Sequence, residues 1–258
     1  MSDTARYERD GDLGVITIAN PPLNLFDADL IGALPRAVAA AADDAPRALL
    51  IRAEGKLFTG GVDVAVFKGL SEADGRALTA DLLEVTHQLE DMPFPTVAAV
   101  HGLCLTAGFE LSLACDLIWA DTSARFGLVE IVVGLTPLMG GTQRVAERAG
   151  PARARELVMT GELYPAETLE RWGVVNRVVA DGELDEQATK LARRLAAGPT
   201  RANAATKAIV RAQTDAGTRG ADASTADLGA PLFETRDLQR AVETFLSEGP
   251  GKATFEGR

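Results

Sequence analysis

Only two cysteines and two histidines occur in the 258 residues, and neither type is spaced as a set of metal ligands. Cys104 and Cys115 both stand among apolar neighbours. They read as small buried hydrophobes of a reducing compartment, not as a disulfide framework. His87 falls inside a helical pattern and His101 closes a strand pattern, so both are expected to be structural. Positive charge is scarce too. Against 37 Asp and Glu stand 26 Lys and Arg, a net charge of −11, which argues against a nucleic-acid surface. No apolar run approaches membrane-spanning length. The start of the chain, with Asp3, Arg6, Glu8 and Arg9, lacks the apolar region of a signal peptide. Internal repeats and low-complexity tracts are also missing. These absences point to a cytoplasmic protein without membrane or nucleic-acid partners and without a metal.

What remains is ordinary for a globular protein with a substantial core: 47% hydrophobic and 24% charged residues. The length suits one large domain, or a domain with an appendage. Strands are expected at Leu13–Ala19 (paired with Tyr7–Asp10 through Gly11-Asp12), Ala48–Arg52, Thr96–Val100, Asp116–Ala120 and Val174–Val179. Helices are expected from an Asp27 cap to Ala42 (with Pro35 near its first turns) and over Glu72–Asp91. Further helices are expected over Gly140–Ala149, Pro151–Thr160, Pro165–Trp172 and Glu183–Ala197. Gly198-Pro199 is the best boundary, because beyond it every strong pattern is helical. Helices are predicted at Pro199–Gln213 and Pro231–Leu246, separated by a polar, small-residue segment over 214–227. The reading is therefore α/β with an all-helical extension: a core of residues 1–198 and a region of residues 199–258.

The central stretch runs from Thr96 to Asp116. A buried strand, a Gly102 turn and an apolar helix starting near Thr106 follow one another. Glu110 does not fit its surroundings of Phe109, Leu111 and Leu113, because burying an unpaired carboxylate is costly. Thr106 is expected to cap the helix, leaving Ala107 with a free N–H one turn before Glu110, on the same face. Such a pair can grip a carbonyl and handle a proton beside it. The alternative is a structural glutamate paired with a buried arginine.

Six segments, taken in order, resemble the enoyl-CoA hydratase/isomerase (crotonase) superfamily over nearly the whole chain. They are Asn20-Pro21-Pro22-Leu23-Asn24, Phe58-Thr59-Gly60-Gly61-Val62-Asp63, Val100-His101-Gly102 through Glu110-Leu111, Ala114-Cys115-Asp116, Phe126-Gly127-Leu128-Val129-Glu130 and Gly140-Gly141-Thr142-Gln143-Arg144. The resemblance implies a spiral of ββα turns with a C-terminal helical trimerisation extension, giving a homotrimer or homohexamer. It implies an acyl-CoA thioester substrate and no separate cofactor, coenzyme A being part of the substrate. Val62 and Ala107 would supply backbone N–H groups to an oxyanion hole. Glu110 would handle the water and Glu130 the α-proton of a 2-enoyl-CoA. Leu23, Asn24, Gly60, Gly61, Asp63 and Leu138 would contact the CoA thioester.

This chain also departs from the family pattern. Val62 and Ala107 stand where alanine and glycine are commoner, Val129 where proline is usual, Leu138 where glycine is frequent, and Ala65 where a lysine often meets the CoA phosphates. Lys56, Lys68 and Lys252 are candidates to replace that lysine. Asp63 and Asp116 are expected to fix turns, and Thr142-Gln143-Arg144 to shape a helix start. Isomerisation through Glu130 alone, another CoA-thioester reaction such as hydrolysis, or a non-catalytic acyl-CoA-binding role are the alternatives.

Overall fold

The computed structural model describes residues 4–258. Strands β1 (Ala5–Asp10) and β2 (Leu13–Ile18) form an antiparallel hairpin across Gly11-Asp12, where Gly11 takes a positive φ of 60°. Strands β3 (Ala48–Ala53), β4 (Thr96–Val100), β6 (Leu117–Asp121) and β9 (Arg177–Val179) then join in parallel, giving a six-stranded sheet ordered β1-β2-β3-β4-β6-β9. A smaller sheet holds β5 (Leu103–Leu105), β7 (Arg125–Gly127) and β8 (Tyr164–Pro165). Single parallel bridges, Phe26 with Val62 and Thr59 with Cys104, carry its pairing back into earlier turns.

Each winding thus adds a strand to the large sheet, a strand or a bridge to the small one, and a helix. This is the spiral of ββα turns that the resemblance implies. The helices after the first four windings begin with α1 (Ala28–Asp44), α2 (Glu72–Asp91), α3 (Ala107–Leu113), and the pair α4 (Gly141–Ala149) and α5 (Pro151–Thr160).

Both faces of the large sheet are covered over its inner strands, so β2, β3 and β4 are nearly continuous apolar runs, whereas edge strand β1 is polar and largely exposed. Ile16, Ile18, Leu49, Ile51, Ala98 and Val100 face the interior of the spiral with Leu30, Leu34 and Val38 of α1. Leu13, Val15, Leu50 and Val97 face outward and are covered by Leu184, Ala188 and Leu191 of a later helix, α7 (Leu184–Ala196). Between α5 and α7 lies the short α6 (Ala166–Arg171). Asp27 caps α1 as expected, accepting from Leu30 N–H at 3.0 Å. Pro35 is the eighth residue of α1 and not near its first turns, because the helix already begins at Ala28.

The C-terminal stretch departs from expectation in one respect. Helix α8 runs from Thr200 to Gly229, so residues 214–227 are helical, with a local break at Gly217 (φ 69°, ψ 177°). The alanines and polar residues there are compatible with a helix, and Gly217 tolerates the break. Lys207 ties α8 to the core through Asp116 at 2.8 Å and the Phe94 carbonyl at 3.1 Å. Helix α9 (Arg236–Glu248) follows, capped by Thr235. Among the described residues, no helix is long and apolar enough to cross a membrane.

Candidate active site

Five of the ten site residues read from the sequence come together. Val62, Ala107, Glu110, Glu130 and Leu138 line one apolar cavity, with Phe26 and Ile31 from the first winding, Leu78 and Leu82 from α2, and Leu135 and Thr136 after the second glutamate. A wider crevice shares Phe67, Leu78, Leu135 and Leu138 with this cavity and leads outward past Val64, Lys68, Leu70 and Ser71. The segment after Val64 therefore lines the route in. It is mostly ordered as a 3₁₀ turn (Val64–Phe67) and the start of α2. Lys68 is the one of the three candidate lysines that borders this crevice.

The other five residues do not line the cavity. Asn24 is buried with a positive φ of 49°, and its amide donates to the Glu54 and Leu57 carbonyls while its oxygen accepts from Asn20 N–H. It pins one loop to the next. Leu23 is largely exposed, and its carbonyl accepts from Gly60 N–H at 2.7 Å. Asp63 accepts from Ala65 N–H at 2.9 Å and so fixes a turn, as expected. Gly61 takes φ 100°, and a Cβ there would meet the Thr106 hydroxyl oxygen at 2.8 Å.

Glu110 is 2% exposed, yet among the described residues no arginine forms a salt bridge with it, and the Arg144 charge acts on it only from a distance. Its Oε1 accepts two backbone N–H groups, from Met139 and Gly141, each at 2.8 Å. The arginine nearby is spent elsewhere: Arg144 makes a two-pronged bridge to Glu90 at 2.6 and 2.7 Å. That bridge clamps the start of α4 to α2, which holds the two N–H donors in place. The Gly140-Gly141 pair, legible in the sequence only as part of a helix start, is therefore also what grips the first glutamate. Glu130 is 8% exposed, at the head of a 3₁₀ turn (Glu130–Val133), and its Oε2 is buried without a partner among the described residues.

Burial drives both carboxyls upward. Glu110 rises to about 8 through desolvation first and the charge of Glu130 second, with the Gly141 and Met139 N–H groups opposing. Glu130 rises to about 7 through desolvation, opposed by its own N–H. The repulsion acting on Glu110 exists only while Glu130 is ionised. The two therefore titrate as a pair that shares one proton near neutrality. When Glu130 holds it, the two N–H donors favour Glu110 as the carboxylate.

The backbone donors are arranged differently from expectation. Ala107 N–H donates to no group among the described residues. Val62 N–H donates to the Thr106 hydroxyl at 3.0 Å. Thr106 therefore does not cap α3 with its side chain. Its backbone (φ 47°, ψ −123°) lies in a region suited to glycine, and placing a β-branched residue there costs on the order of 1–3 kcal/mol. Helix α3 has seven residues, so individual N–H groups matter here more than a long macrodipole. Cys104 and Cys115 are buried and free, and burial pushes both thiols up, which keeps them inert.

The chain as a whole matches a known family. The profile described as Enoyl-CoA hydratase/isomerase matches residues 8–258. The chain belongs to the enoyl-CoA hydratase/isomerase family. It is 34% identical over 258 residues, covering 99% of both chains, to a Rhizobium meliloti (strain 1021) protein described as "Probable enoyl-CoA hydratase". It is 37% identical over 221 residues, 83% of both chains, to a protein of Salmonella heidelberg (strain SL476) described as "Carnitinyl-CoA dehydratase". The fold superposes on a Geobacillus kaustophilus HTA426 structure described as an enoyl-CoA hydratase subunit with TM-score 0.91 at 31% identity, over 99% of this chain and 98% of that one.

Proposed function

We propose that this chain adds water across the 2,3-double bond of a 2-enoyl-CoA and, in reverse, dehydrates the 3-hydroxyacyl-CoA. The observation that carries this reading is the pairing of Glu110 and Glu130 in one apolar cavity that also presents Ala107 with an unspent N–H. The thioester carbonyl sits against Ala107 N–H and the Val62 side of the cavity, where negative charge develops as water attacks Cβ. Glu110, ionised and gripped by two N–H groups, orients the water and takes one of its protons. In the state in which Glu130 holds the shared proton, it gives that proton to Cα. One hydroxyl and one proton are added, and the proton shared by the pair has moved from Glu130 to Glu110. The apolar walls from Phe26, Leu78 and Leu82 suit an acyl chain and keep bulk water away from the carboxyls. The relatives' names, hydratase and dehydratase, describe the two directions of one such reaction. Assaying crotonyl-CoA and a longer 2-enoyl-CoA by loss of enone absorbance tests the reading, which fails if neither is consumed.

The shared proton sets a pH dependence. Below about 7 both carboxyls hold protons and the base is lost, whereas above about 8 both are ionised and the acid is lost. A bell-shaped profile of kcat/KM is expected, with its maximum between these two values. A flat profile from pH 5 to 9 contradicts the shared-proton pair.

We further propose that residues 199–258 form an oligomerisation region that gives a trimer or a pair of trimers. Val210, Phe233, Val242, Phe245 and Leu246 leave an apolar surface on the C-terminal helices of a single chain, with Leu246 80% exposed. Patches of this kind are normally covered by a partner. Light scattering at micromolar concentration should give the mass of three or six chains, and a monomer refutes it.

A further inference from the structure

We propose that the Thr106 hydroxyl is itself a donor to the substrate's thioester oxygen, passing forward the hydrogen bond that it receives from Val62 N–H. This rests on the acyl-CoA reading above and adds a side-chain donor to it. Four observations converge on the hydroxyl. Thr106 occupies a backbone conformation (φ 47°, ψ −123°) in which glycine would be at ease and a β-branched residue is an outlier. Strain held at a site of this kind points to something that the side chain supplies. What it supplies is not a helix cap, since no side-chain bond to the start of α3 is made. Instead its oxygen accepts Val62 N–H at 3.0 Å.

The third observation is the unspent hydrogen. Thr106 is only 6% exposed, yet its hydroxyl donates to no group among the described residues. A hydroxyl that already accepts one hydrogen bond is polarised and becomes a better donor through its own O–H. The fourth is its position. The next residue is Ala107, whose N–H is equally unspent, and Val62 and Ala107 both line the cavity that holds the two glutamates. Gly61 leaves room for the hydroxyl: a Cβ there would lie 2.8 Å from its oxygen. With Val62 N–H committed to Thr106, the thioester oxygen meets Ala107 N–H and Thr106 O–H. The competing arrangement, in which the substrate displaces the hydroxyl and takes Val62 N–H directly, is an outcome of the test below.

The test compares the full-length Thr106→Ser, Thr106→Val and Thr106→Gly variants with the parent protein. Two readouts are used: kcat and KM on crotonyl-CoA, and the infrared carbonyl stretch of bound, carbon-13-labelled butyryl-CoA, an unreactive thioester. Thr106→Ser keeps the hydroxyl and should hold kcat within about threefold of the parent, whereas Thr106→Val and Thr106→Gly should lose roughly 10²-fold in kcat, the scale of one missing oxyanion donor. KM should move far less, and the carbonyl stretch should rise in both, reporting a less polarised bond. The glycine variant guards against misfolding, since its backbone suits the observed φ. Unchanged or faster turnover in Thr106→Gly and Thr106→Val, with the parent's carbonyl shift retained, overturns the proposal and makes Thr106 a placeholder. If the parent polarises the thioester but adds no water, the hydratase reading fails while the carbonyl shift still decides the role of Thr106. If it binds no CoA thioester at all, both fail.

Discussion

Replacing Glu110 or Glu130 by glutamine should lower kcat for hydration by at least about 10²-fold, the scale of lost acid–base catalysis, with KM little changed. Glutamine keeps the shape of each side chain. At position 110 its carbonyl oxygen can still accept the Met139 and Gly141 N–H groups that hold the glutamate at 2.8 Å. What disappears is the exchange of a proton.

Stability should move the other way. The two carboxyls stand at about 8 and about 7 in the fold, against 4.5 for an ordinary glutamate. As pH rises from 4.5 towards 7, the unfolded chain releases protons that the folded chain retains, so these groups weaken the fold over that window. Neither glutamine carries that penalty. Both variants should therefore melt at or above the parent's temperature at pH 8 while being nearly inactive. Variants that are active, or inactive because they unfold, contradict this account of the pair.

The second large effect is expected from a single added methyl group. A Cβ on Gly141 would meet Glu110 Cγ at 2.8 Å and the two Leu128 methyl carbons at 3.0 and 3.1 Å. Gly141 is buried in the α4 start, and its own N–H is one of the two that hold Glu110. Room for the methyl must come from Glu110, because Leu128 is 0% exposed and has nowhere to go. Gly141→Ala should cost roughly 1–3 kcal/mol of stability by overpacking. It should also lower kcat roughly 10²-fold, since displacements near 1 Å at a reacting group cost about that much. Thermal melting and kinetics on the same preparation separate the two effects. A variant with full kcat shows that the position of Glu110 is not critical.

The structure changes which variant best probes the backbone donor at position 107. A proline there removes the N–H, but a residue before proline prefers an extended backbone. Thr106, at φ 47° and ψ −123°, is far from that conformation. A loss of activity in Ala107→Pro would thus mix a missing donor with a displaced Thr106, and does not by itself identify the donor.

Much of the spiral was legible because its strands are short apolar β-branched runs bounded by Gly and Pro. Thr96–Val100 and Glu72–Asp91 stand where the sequence pattern places them. The break at Gly217 was harder to place. A polar, alanine-rich segment reads equally well as linker or helix, and tertiary context settles which. Within the site, the anomaly of Glu110 among apolar neighbours was visible, and so was its twenty-residue spacing from Glu130. The cavity walls from Phe26, Ile31, Leu78 and Leu82 were not, since each is an ordinary apolar position of its own element. The Met139 and Gly141 grip on Glu110 depends on backbone direction, which side-chain identity does not report. Thr106 was misjudged for a clear reason. Threonine before a helix is a good cap by composition, and only its backbone angles show that the hydroxyl is turned towards Val62 instead.

The central claim, addition of water by a glutamate pair, is tested most directly by the product formed in deuterium oxide. The protein is incubated with crotonyl-CoA in that solvent, and the thioester is analysed by mass spectrometry and NMR. The account predicts 3-hydroxybutyryl-CoA carrying one non-exchangeable deuterium at Cα, formed by the parent protein and not by Glu110→Gln or Glu130→Gln. A product with the double bond moved and no water added, or free CoA released by hydrolysis, contradicts it.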